Sequence, residues 1–90
     1  MALHKITILG KPDCHLCDVA AEVAQKVVGS NLAVIIEKVD ITEDPDLLEK
    51  YKNDIPVILV DGVEKFRRGV DPAKLAQLFY DELPEKLVGF

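Results

Sequence analysis

Residues 5–28 read KITILGKPDCHLCDVAAEVAQKVV: a short β-branched run, a loop holding Gly10 and Pro12, then a stretch whose apolar positions fall three and four apart. Lys5 to Leu9 has the composition of a strand, and Gly10 and Pro12 end it. From Leu16 the apolar residues are Leu16, Val19, Ala20, Val23, Ala24 and Val27. That spacing sets one apolar stripe along a helix, which Gly29 stops. Glu22 and Lys26 lie four apart on the opposite face, in the favourable orientation. The only two cysteines of the chain, Cys14 and Cys17, fall where strand gives way to helix.

Downstream, Ala33 to Ile41 is rich in β-branched residues and reads as a second strand. With a helix between them, the two strands are expected to pair in parallel through a right-handed crossover. Asp44-Pro45 is an N-cap followed by proline at the first helical position, opening a short helix with Leu47, Leu48 and Tyr51 on its buried face and Asn53 at its end. Val57 to Val60 is an apolar strand, Asp61-Gly62 a two-residue hairpin turn, and Val63 to Phe66 the antiparallel return. Asp71-Pro72 repeats the cap and proline, and Leu75, Leu78 and Phe79 give the last helix its stripe before Pro84 and a tail through Phe90. The order is β-α-β-α-β-β-α. It predicts an α/β fold with a four-stranded mixed sheet, the first strand central and helices on both faces.

Ninety residues suit one domain with a modest core, so residues 1–90 are read as a single unit. Half the residues are apolar and both charge signs are spread throughout, as in a soluble globular protein. The net charge of −5, with Arg67-Arg68 the only adjacent basic pair, argues against nucleic acid as partner. No apolar run approaches the length of a membrane span, and the first five residues are no secretory leader. A cytoplasmic location is expected, where a lasting structural disulfide is the less common use of a cysteine pair.

A helix N-terminus favours an anion, and a thiolate is the anion that sulfur chemistry needs. Lys11 and a protonated His15 would lower the pKa of Cys14, and Asp13 and Asp18 would raise it. Helix geometry makes Cys14 the more exposed, attacking thiol and Cys17 the inner, resolving one. A structural zinc site needs four ligands, and only His4 and His15 remain to complete one; His4 precedes the opposite end of the first strand, so no metal is expected. A CxxC in the strand-to-helix turn of such a unit is the signature of a thioredoxin-like redox motif.

With Cys14-His15-Leu16-Cys17, Ile55-Pro56 and this element order, the chain resembles the glutaredoxin branch of the thioredoxin superfamily, in particular small bacterial glutaredoxin-like proteins with a PDCHLCD-type site. The resemblance runs over nearly the whole chain. It implies a thiol-disulfide oxidoreductase acting as a monomer on protein disulfides or small thiols, with no tightly bound cofactor. Glutathione is its implied co-substrate, and glutathione or a reductase its electron donor. It also implies a cis Pro56 facing the CxxC, an Ile55 backbone that pairs with an extended thiol peptide, and substrate contacts from Lys11 and Asp71. Lys11 also reads as a solvated loop lysine and Asp71 as a helix cap. The chain departs from the family pattern at His15 and Leu16, where proline and an aromatic are usual, and at Arg68, where the first of two glycines is usual. Two other readings are carried: a dimeric carrier sharing an iron-sulfur cluster through Cys14 and glutathione, and a non-catalytic docking domain.

Overall fold

The computed structural model describes residues 4–29 and 33–80, apart from the side chains of residues 79 and 80. The expectations for Phe79, Pro84 and the tail through Phe90 lie outside them. Strand β1 (His4–Gly10) sends Ile6 and Ile8 to one face of the sheet and Leu9 to the other, as the period of two requires. It pairs in parallel with β2 (Val34–Asp40) and antiparallel with β3 (Val57–Val60), which pairs with β4 (Val63–Arg67). The sheet order is β2-β1-β3-β4, with the first strand inside, as the sequence predicts.

Helix α1 (His15–Val28) and helix α3 (Pro72–Tyr80) pack on the Ile6 and Ile8 face, where Ala20, Ala24, Ile58 and Leu75 complete a closed core. Helix α2 (Pro45–Tyr51) covers the other face through Tyr51, against Leu9, Ile41 and Val57. Each fully buried isoleucine or leucine contributes about 1.5–3 kcal/mol relative to exposure.

Local chemistry places the element ends. Asp44 accepts from the Asp46 and Leu47 amides and Asp71 from those of Ala73 and Lys74, each ahead of a proline at N1. Asp61 and Gly62 have φ of 52° and 85°, the paired positive values of a tight hairpin turn. A bulge follows, since Ile58 faces Phe66 while Leu59 faces Glu64, leaving Lys65 as the extra residue.

Three details differ from the sequence expectation. The second strand ends at Asp40, and Ile41–Glu43 form a 3-10 turn, capped by Asp40, that tucks Ile41 into the core. Helix α2 ends at Tyr51, and the Asp54 amide, one residue past Asn53, bonds the Tyr51 carbonyl. The buried stripe of α1 is Cys17, Ala20 and Ala24, while Leu16 and Val19 are 58% and 39% exposed. Docking Cys17 on β1 fixes the rotation of the helix, and small alanines let it lie close to the sheet. Leu16 and Val19 are thereby turned onto its flank.

Candidate active site

The site grows from the end of β1. Loop residues 11–13 turn the chain, with Asp13 at φ 63°, a left-handed value that aspartate tolerates. Cys14 is then the N-cap of α1, with extended backbone. Its Sγ accepts the Cys17 amide at 3.2 Å and its carbonyl the Asp18 amide at 3.1 Å. The Cys17 amide, one of those the helix would otherwise leave unpartnered, is thus directed at the Cys14 sulfur, and the Asp18 amide makes the first intrahelical bond. Cys14 and Cys17 are joined by a disulfide, their Cα atoms 5.2 Å apart. Cys14 is half-buried and Cys17 only 4% exposed, the asymmetry expected for an outer and an inner thiol.

Gly10 makes the inner position available. A Cβ there would stand 2.8 Å from Cys17 Sγ, so the sulfur occupies space that any other residue would fill. An open cleft of about 230 Å³ borders Cys17 on the β2 side, with Lys11, Asp13, Asp18, Lys38 and Asp40 around it. Lys38 Nζ stands 4.0 Å from Asp18 Oδ1.

Of the other predicted site residues, Ile55, Pro56 and Asp71 stand apart from this cleft. Continuing the strand register by one residue sets Pro56 beside Gly10 and Arg68 beside Pro56. The active-site end of the sheet therefore runs Asp40, Gly10, Pro56, Arg68, at about 4.8 Å per strand. Lys11 lines the cleft with Cys17. Ile55 and Pro56 lie on the opposite flank of β1, and Asp71 caps α3. The Ile55-Pro56 peptide bond is cis. Neither the amide nor the carbonyl of Ile55 takes a hydrogen bond among the described residues. Among the described residues, Asp71 caps through Oδ1 alone.

A charged cluster adjoins Ile55. Asp54 accepts Arg67 Nη1 at 3.2 Å and Arg68 Nη2 at 2.9 Å, and its carbonyl accepts the Arg68 amide at 2.9 Å. Glu64 accepts Arg67 Nε at 2.7 Å, and that hydrogen bond holds the Glu64 carboxyl below its ordinary pKa and raises that of Arg67. Sequence reasoning missed Gly10, Lys38, Asp40 and Asp54. A glycine closing the strand before the CxxC signalled the first; Arg67-Arg68 stood out only as a basic pair.

The fold has known counterparts. Residues 5–87 match the family described as Glutaredoxin-like domain (DUF836). A glutaredoxin-like protein of Dictyostelium discoideum is 31% identical over 81 residues, 84% of this chain and 72% of that protein. A structural-genomics target protein from X. campestris superposes with a TM-score of 0.66 at 25% identity, covering 88% of this chain and 99% of its own. The oxidised thioredoxin of Plasmodium falciparum shares the fold, with a TM-score of 0.60 at 20% identity over 92% of this chain and 84% of its own. Among the described residues, no helix is long and apolar enough to cross a membrane. The glutaredoxin-like domain match, with a cysteine pair at disulfide distance, supports a thiol-disulfide redox role in general. From its match over nearly the whole length and its identity to a glutaredoxin-like relative, the chain belongs to the glutaredoxin-like domain family.

Proposed function

We propose that the chain is a thiol-disulfide oxidoreductase in which Cys14 attacks and Cys17 resolves. The observation that carries this reading is the position of Cys14, whose sulfur receives an amide at the start of α1 while Cys17 is sealed beneath it. In the reduced protein the same amide and the helix dipole favour a Cys14 thiolate. That thiolate attacks one sulfur of a substrate disulfide, forming a Cys14–substrate S–S bond, and the other substrate sulfur leaves as a thiolate that takes a proton from water. Cys17, having lost its proton, then attacks Cys14 Sγ. The bond to the substrate breaks, the second substrate sulfur leaves, and the Cys14–Cys17 disulfide forms. Two electrons have passed to the substrate, and two glutathione thiols or a dithiol reductase return them.

The amide and carbonyl of Ile55, unpartnered among the described residues, suit an extended peptide flanking the substrate sulfur, such as a protein segment or glutathione. Pro56 has no amide to compete with that pairing. Lys11 is assigned to a substrate carboxylate, and Oδ2 of Asp71, without a partner among the described residues, to a substrate ammonium. In this reading the chain works as a cytoplasmic monomer, and the reaction needs no bound cofactor because the electrons travel through sulfur alone. Cys14→Ser should abolish reduction of both a protein disulfide and a glutathionylated peptide. Full activity in that variant would overturn the reading.

A further inference from the structure

Asp54 ties the end of α2 and the end of β4 to the peptide just ahead of β3. Its amide bonds the Tyr51 carbonyl at the end of α2, at 2.8 Å. Its carbonyl takes the Arg68 amide beyond β4, and its carboxylate, 17% exposed, takes the guanidinium groups of both Arg67 and Arg68. Glu64 holds Arg67 from the far side, so two cations and two anions close the cluster with no net charge. The residue after Asp54 is Ile55, whose amide and carbonyl are both unpartnered among the described residues.

We propose that Asp54, clasped by Arg67 and Arg68, is a positioning residue that fixes the Ile55 peptide for an extended substrate, and that Arg68 thereby sets affinity for peptide disulfides. The inference rests on the proposed thiol-disulfide activity. An ion pair this open to solvent adds little to stability: Arg67 is half-exposed and Arg68 is 69% exposed. Its weight falls on orientation instead. A peptide edge that must align two hydrogen bonds with an incoming chain gains from being held before the substrate arrives. Arg68 carries a φ of 64°, a left-handed value that an arginine adopts at a cost and a glycine adopts freely. The strained arginine keeps a guanidinium within reach of Asp54 that glycine would forgo.

Two variants separate the roles. Asp54→Asn keeps both backbone bonds and removes the charge. Arg68→Gly relieves the backbone and removes the guanidinium, so its thermal midpoint should match or exceed that of the parent. In both, KM for a short peptide carrying an intermolecular disulfide should rise about tenfold, the scale of one misaligned hydrogen bond, while kcat holds. KM for the small disulfide of mercaptoethanol, which has no peptide to pair, should stay within about twofold. A peptide KM unchanged in folded Arg68→Gly overturns the inference, and so does an equal rise for both substrates. If Asp54→Asn does not fold, Arg68→Gly alone decides. Failure of the activity itself is read elsewhere, in Cys14→Ser.

Discussion

A Cβ added to Gly10 would lie 2.8 Å from Cys17 Sγ and 3.0 Å from Cys17 Cβ, closer than a side chain tolerates. Cys17 cannot retreat alone, because its Cβ is fixed on α1 and its sulfur is bonded to Cys14. Gly10→Ala must therefore push the start of α1 off the sheet. Overpacking of this kind costs about 1–3 kcal/mol. The oxidised protein should lose more thermal stability than the reduced one, in which the free Cys17 thiol can rotate away. Melting both forms with and without dithiothreitol checks this, and equal losses would locate the strain away from the sulfur.

Cys17→Ser should stop the reaction halfway. Serine is smaller than cysteine and fits against Gly10, so the fold and Cys14 are left in place. The outer thiol still attacks, but nothing resolves the mixed disulfide. Incubation with a disulfide peptide and mass spectrometry should find one peptide retained on Cys14. Turnover of a protein disulfide should fall to near background, and turnover persisting at the parental rate would mean that an outside thiol resolves the intermediate.

Asp71 separates capping from binding because its two oxygens have different work. Oδ1 accepts the amides of Ala73 and Lys74, while Oδ2 takes no partner among the described residues. Asp71→Ala removes the cap and should cost about 0.5–2 kcal/mol. Asp71→Asn keeps a good capping residue and removes only the charge. A glutathione-derived substrate should then bind more weakly to both variants, while urea denaturation finds only the alanine variant destabilised. Equal substrate affinity in Asp71→Asn and the parent would leave Asp71 as a cap.

How much of this was legible in the sequence depends on the range of the interactions. The caps at Asp44 and Asp71 and the Asp61-Gly62 turn rest on contacts within three residues, and the chain announces them. The cysteine pair is legible for the same reason. The exposure of Leu16 and Val19 was not, because helix rotation is set by Cys17 docking at Gly10, a contact between elements. The Asp54 cluster joins residues 13 and 14 positions apart across a hairpin, and no local pattern marks it. Lys38 and Asp40 reach the cysteines only through the parallel pairing of β1 with β2.

The hairpin turn is also fastened to β1 by a titratable group. Asp61 accepts His4 Nδ1 at 2.7 Å and the Lys5 amide at 2.9 Å, while its own amide bonds the Lys5 carbonyl. The hydrogen bond from His4, then that from Lys5, holds the Asp61 carboxyl below the ordinary aspartate pKa. A lowered pKa means that the fold favours the ionised form. Its stabilisation is therefore complete above the unfolded pKa and fades as pH falls through the folded value. Asp61→Asn keeps a turn-forming Asn-Gly pair and removes the titration. The parent should melt above the variant at about pH 6, and the gap should close towards about pH 3, below the ordinary aspartate value. A gap that is constant over this range would show that Asp61 acts through its shape alone and that its charge contributes nothing to joining the turn to β1.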